Sequence, residues 1–179
     1  MDRDFVSIGR LGAPKGVKGD LKVQSYSGES AHFRELQEVE LRPSAAGGAA
    51  VGAKAPSLRL KVLRVGGDGP SLTMAFEGYP SPEAARSLTG LDIVVPRAKA
   101  APLGPDEWYI DDLVGLALVS GGERLAKVAS VLEGGAEPWL EAVLDGGRRA
   151  IVPFRGAYVG EVDIAAGTIE LLVPELLDE

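Results

Sequence analysis

A chain of 179 residues that is 45% hydrophobic and 25% charged holds enough apolar material for one large core or two small ones. No apolar run nears the ~20 residues of a membrane span, and with no cysteine and one histidine, disulfides, thiolate or His-rich metal sites and Ser/His/Asp catalysis start badly. The net charge of −7 is unevenly held: residues 1–95 carry 12 Lys+Arg against 11 Asp+Glu, residues 96–179 carry 7 against 15, balances of +1 and −8.

An acidic half repels phosphate and attracts basic proteins, so any contact with RNA is expected in the first half. The alternative is that the surplus carboxylates only confer solubility. Met1-Asp2-Arg3-Asp4-Phe5 has no signal-peptide shape, and the protein is expected to stay in the cytoplasm.

Phe5 to Leu11 predicts a strand. Gly9 to Leu21 sets four glycines among Arg10, Lys15 and Lys18 and predicts a tight loop whose amides and basic side chains meet phosphate, or a turn whose glycines serve barrel geometry. No Gly-Lys-Ser/Thr ending and no helical pattern follow, which argues against a triphosphate site. Leu21 to Ser25, carrying Lys22, alternates as a strand, and Ser30 to Leu36 predicts a short serine-capped helical turn. His32 has no partner cluster in sequence and is expected at the surface. Gln37 to Arg42 is a further strand, and residues 43–56 are a low-complexity Ala/Gly insert expected to hold no site. Ser57 to Val65 and Ser71 to Phe76 predict a hairpin turned by Gly66-Gly67-Asp68-Gly69-Pro70. Ser81 to Gly90 predicts a helix, with a serine cap, Pro82 in the first position and glycine past the end. Leu91 to Val95 completes about six strands, enough for a small closed barrel.

A proline-rich connector, Pro96 to Pro105, leads into Asp106-Glu107-Trp108-Tyr109-Ile110-Asp111-Asp112-Leu113-Val114-Gly115-Leu116. As a strand, this stretch points Trp108 and Ile110 one way and Tyr109 and Asp111 the other, so two adjacent aromatics do not fill one core. Either one faces outward as a docking point, or each is buried on a different side. Beyond it, Gly115 to Ser120, Leu125 to Leu132, Pro138 to Leu144, Arg149 to Phe154, Val162 to Ile164 and Thr168 to Val173 predict short antiparallel strands with glycine turns, a second small barrel. Pro174 to Glu179 is expected to fray.

Asp106, Glu107, Asp111 and Asp112 form the one acidic cluster that resembles a catalytic set. Carboxylate pairs hydrolyse glycosides or bind divalent ions only in a held geometry. With no calcium-loop pattern and no Gly-x-Ser-x-Gly elbow, they are assigned to solvation, turn formation and charge display. A carboxylate-dependent hydrolase using Asp111 and Asp112, and a general RNA-binding barrel, are the competing functions.

The segments Ile8 to Val23, Phe33-Arg34-Glu35-Leu36, Glu83-Ala84-Ala85 with Leu88-Thr89-Gly90, Glu107 to Leu116, and Ile151-Val152-Pro153-Phe154 with Val162-Asp163, in this order and spacing, resemble the bacterial ribosome maturation factor RimM family along nearly the whole chain. The resemblance implies an all-β protein of two antiparallel barrels: residues 1–95 like a translation-factor barrel, a linker at 96–105, and residues 106–179 like a PRC-barrel. It implies a non-enzymatic factor without cofactor or metal that binds the free small ribosomal subunit, helping its head mature and its ribosomal RNA be processed. The implied partner is a small-subunit head protein, number nineteen in the ribosomal series. The family's paired aromatic motif maps onto Trp108 and Tyr109, where a tyrosine pair is usual, with Asp111 and Asp112 beside it. Arg10, Lys15, Lys18 and Lys22 are the candidate RNA contacts, and a monomer without membrane attachment is expected.

Overall fold

The computed structural model describes residues 4–44, 57–105, 107–134 and 137–178; the Ala/Gly insert beyond Ser44 lies outside the described residues. The chain divides into two compact units with the boundary between Tyr109 and Ile110. In the first, β1 (Phe5–Lys15), β2 (Asp20–Ser25), β3 (Glu38–Pro43), β4 (Leu58–Gly66), β5 (Thr73–Phe76) and β6 (Leu91–Pro96) close a barrel in the order β1-β2-β5-β4-β3-β6. All its pairings are antiparallel. Alternation decides the inside: Leu21 and Val23, Val39 and Leu41, and Ile93 and Val95 are buried, while Lys22, Gln24 and Glu38 between or beside them face water.

The loop expected from Gly9 to Leu21 is mostly strand. β1 continues to Lys15, with register shifts between Ser7 and Gly9 against β6 and between Leu11 and Pro14 against β2. These bulges bend the long strand without ending it, and a Cβ at Gly9 would lie 2.6 Å from the Gln24 carbonyl oxygen. Only Gly16-Val17-Lys18-Gly19 remains as the turn.

A 3-10 turn, Ala31–Glu35, carries the fully buried Phe33 into the core. Its expected serine cap is not formed; the Ser30 hydroxyl donates instead to Asp68 Oδ1 at 3.0 Å. The helix expected over Ser81 to Gly90 is a single α-helical turn, α1 (Pro82–Ala85), followed by a 3-10 turn over Arg86–Leu88. Its cap holds as read: Ser81 Oγ accepts from the Ala84 amide at 3.2 Å. Ala85 and Leu88 face the core.

The second unit begins with a helical turn, α2 (Ile110–Leu113), and continues with β7 (Ala117–Ser120), β8 (Glu123–Gly134), β9 (Glu137–Leu144), β10 (Arg149–Pro153), β11 (Val159–Asp163) and β12 (Thr168–Leu171). The sheet order is β10-β9-β8-β7-β12-β11. β12 pairs with β7 in parallel, against the all-antiparallel expectation, because the chain returns from β11 to lie beside its own first strand. Leu118, Val128, Val131, Leu140, Val152, Ile169 and Leu171 are among its buried residues. The tail does not fray: Pro174–Leu177 is a 3-10 turn that buries Leu177 to 3% exposure, an apolar anchor the acidic composition concealed.

Candidate partner-binding site

The segment around Trp108 and Tyr109 is not a strand. Glu107 folds back so that its Oε2 accepts from the Gly104 amide at 2.7 Å. Tyr109 packs on the first unit's core, its hydroxyl donates to the Ala101 carbonyl at 2.7 Å, and the Arg97 guanidinium sits 5.1 Å from the ring centroid. Such a position satisfies the phenol and adds a cation–π contact to the ring. Trp108 is half-buried as well, so neither aromatic is sealed and neither is fully presented.

At Ile110 the chain turns helical, with the Val114 amide donating to the Ile110 carbonyl at 3.2 Å. Asp111 and Asp112 occupy the first turn of α2, where carboxylates complement unpaired amides, and both are half-buried. Leu113, Val114 and Leu116 are buried, and the Gly115 amide donates to the Val128 carbonyl of β8 at 2.8 Å. The period-two assignment therefore fails here: the acids belong to a helical turn of the second unit and the two aromatics to the end of the first. Among the described residues no group of three or more His, Cys, Asp or Glu is placed to hold a metal ion.

The basic candidates divide. Arg10 is half-buried; its Nε lies 3.4 Å from Asp92 Oδ1 and its Nη2 donates to Ser44 Oγ. Lys15 ends β1, Lys18 lies in the β1–β2 turn and Lys22 follows on the outward face of β2, all three exposed. On β4 the basic residues are neutralised by ion pairs, Arg59 with Glu38, Lys61 with Glu77, and Arg64 with Asp20 at the start of β2. At the turn's tip Val17 is 82% exposed.

Two features escaped the sequence. Asp92 on β6 is 3% exposed and accepts from the Tyr26 hydroxyl at 2.7 Å as well as from Arg10. Burial raises its carboxyl above the ordinary range despite the hydrogen bond from Tyr26 and the charge of Arg10. A lone aspartate inside Leu-Asp-Ile-Val-Val carries no hint that Arg10 and Tyr26 converge on it from β1 and the end of β2. In the second unit Glu161, Asp163 and Glu170 line a cleft of about 260 Å³ with Thr168 and the Gly121-Gly122 turn. Their period-two spacing on β11 and β12 was the available signal.

The RimM N-terminal domain family matches residues 6–100, and the RimM PRC barrel domain family matches residues 110–177. The chain belongs to the RimM family. The RimM boundary thus falls between residues 100 and 110, around the Tyr109–Ile110 division of the fold. Ribosome maturation factor RimM of Treponema denticola is 34% identical over 179 residues, covering 94% of this chain and 96% of that protein. The same-named factor of Treponema pallidum is 34% identical over 174 residues, covering 94% and 98%. A solution structure of the N-terminal domain of RimM from Thermus thermophilus aligns with 56% of this chain and 98% of its own, at 23% identity and a TM-score of 0.38. Among the described residues no helix is long and apolar enough to cross a membrane.

Proposed function

We propose that the chain is a non-enzymatic assembly factor that acts in the cytoplasm as a monomer, binding the free small ribosomal subunit through head protein nineteen and assisting head maturation and rRNA processing. The observation that carries this reading is the pair of RimM family matches, 6–100 and 110–177, in tandem over both units. The charge distribution supports the partner's chemistry. Ribosomal proteins are basic, and residues 96–179 hold 15 Asp+Glu against 7 Lys+Arg. Their summed field speeds encounter with a basic surface and is screened over about 8 Å at physiological salt.

Trp108 and Tyr109 supply half-buried aromatic area for the contact, and Asp111 and Asp112 supply charge beside it in sequence. Lys15, Lys18 and Lys22 are the proposed contacts to rRNA phosphate, because no ion pair to a carboxylate is seen for them among the described residues while the arginines and lysine of β4 are paired. Arg10, drawn to Asp92 and Ser44, shapes the barrel near them. Holding the head protein in place would pre-form an arrangement that the RNA alone reaches slowly.

The test is a fluorescence titration of the full chain with purified head protein nineteen. Saturable binding that weakens with added salt and with Trp108→Ala supports the proposal. No binding, or binding indifferent to both, contradicts it.

A further inference from the structure

Single exposed apolar residues are ordinary on a protein surface, but contiguous ones mark interaction sites. On the second unit's sheet, β9 alternates so that Leu140 and Ala142 are buried while Glu137, Trp139 and Glu141 turn outward. The register sets Leu132 of β8 and Pro153 of β10 directly across from Trp139, one on each side. One row along, Ile151 of β10 lies opposite Glu141. Directly opposed residues on adjacent strands stand about 4.5–5.5 Å apart at Cβ, and diagonal neighbours such as Trp139 and Ile151 about 7–8 Å, within reach of an aromatic ring, so these side chains form one surface. Its two largest members stay in water: Trp139 is 40% exposed and Ile151 52% exposed.

The charges around this surface are already matched. Arg149 Nη1 donates to Glu141 Oε1 at 2.6 Å, the Ser130 hydroxyl donates to Glu141 Oε2 at 2.7 Å, and Arg155 Nε lies 2.5 Å from Glu137 Oε2. An apolar centre with a polar, charge-balanced rim has the composition of a protein–protein interface, and tryptophan is one of the residue types enriched among its anchors. A nucleobase also stacks on an indole. Here, however, the two arginines that would hold its phosphates are each committed to a carboxylate, on a half of the chain with an acidic excess.

We propose that Leu132, Trp139, Pro153 and Ile151 form a docking surface for an apolar-faced segment of a basic protein. It is a contact made by the second unit alone, and it rests on the head-protein partner proposed above. The charge excess brings that partner in, and the indole and isoleucine hold it. A second copy of this chain shares the acidic excess and is disfavoured as the occupant by like-charge repulsion.

The test uses the full chain and its Trp139→Thr and Ile151→Thr variants, in which threonine keeps strand preference while removing the anchor. Each variant is expected to weaken the titration with head protein nineteen at least tenfold. Binding should also shield an iodide-quenchable part of the tryptophan emission in the unmodified chain, and the share of that shielding due to Trp139 should be missing at saturation in Trp139→Thr, where Trp108 is the one tryptophan left. If the unmodified chain binds and both variants bind equally well with no shielding of Trp139, the surface is overturned and the head-protein reading stands. If the unmodified chain does not bind, both fall. Shielding by naked rRNA fragments but not by the protein, or a concentration-dependent dimer that Trp139→Thr abolishes, also overturns the surface by naming a different occupant.

Discussion

Asp92 is a carboxylate at 3% exposure held by the phenol of Tyr26, just past β2, and the guanidinium of Arg10 on the neighbouring β1. Removing it by Asp92→Leu deletes the carboxylate to which both Tyr26 and Arg10 donate, and losing the acceptor of a buried donor costs about 1–3 kcal/mol. Asp92→Asn keeps an acceptor for Tyr26 and should cost less, a difference that urea denaturation of the two variants measures directly. The pH dependence has a definite sign. Because burial raises the folded carboxyl above its ordinary value of 3.8, its contribution is complete below that value and is lost as pH rises through the folded one. Asp92→Asn should abolish this decline between acid and neutral pH.

His32 was expected at the surface, and its ring nitrogens are buried with no hydrogen-bond partner among the described residues. The ring lies 4.4 Å from that of Phe33, a fully buried core residue, at a tilt of 38°. Burial lowers its pKa below 6.5 against the pull of Glu29 and Glu35, so the unfolded chain takes up a proton first. Stability is therefore full above the unfolded value and is lost as pH falls through it toward the folded one. Chemical denaturation at several pH values should show the wild type losing stability below about pH 6.5 relative to His32→Leu. Equal pH slopes would mean the imidazole stays solvated. Asp92 was not legible in sequence because its partners Tyr26 and Arg10 lie far along the chain, and His32 was not because no residue beside it signals that its ring nitrogens are covered.

At the scale of elements, the β1–β2 turn shows how two similar glycines differ. Gly16 and Gly19 both have positive φ, 75° and 79°. A Cβ at Gly16 meets nothing within 4 Å, whereas at Gly19 it runs into the Tyr79 carbonyl oxygen and lies 3.1 Å from the Ser81 amide nitrogen. Gly16→Ala should cost about 1–2 kcal/mol from the left-handed backbone alone. Gly19→Ala should cost more, because backbone on both sides must move, and thermal melts of the two variants rank them. The glycine-rich stretch could be read as a turn from sequence, but its length could not. Bulges let β1 run on past Gly9 and Gly12, and a bulge has no signature distinct from a loop when glycines are frequent. Alternation was readable where one face is buried, as in Leu21 to Ser25 or Pro138 to Leu144. It misled at residues 107–116, where four residues close a helical turn before the first strand of the second unit. It missed the parallel pairing of β12 with β7, which depends on how distant strands meet and leaves no local trace.

For the molecule as a whole, two barrel-sized sets of strands and the jump in acidity between the halves were visible in the sequence, because strand count and charge are additive along a chain. The outward row at Trp139 was not, since it arises from three strands in register. The tail was misread for a related reason: Leu177 is one apolar residue among acids and becomes an anchor only when β10 is present to receive it. The acidic excess makes a prediction at this scale too. Raising salt from about 50 to about 500 mM should weaken association with a basic partner by slowing encounter, with a smaller effect on dissociation of the formed complex.

The central claim, that the chain attaches to the unfinished small subunit through a basic head protein, is tested most directly by co-sedimentation of the full chain with small subunits. Immature subunits carrying head protein nineteen should retain the chain, and immature subunits depleted of that protein should release it. Equal retention with and without the protein would contradict the account.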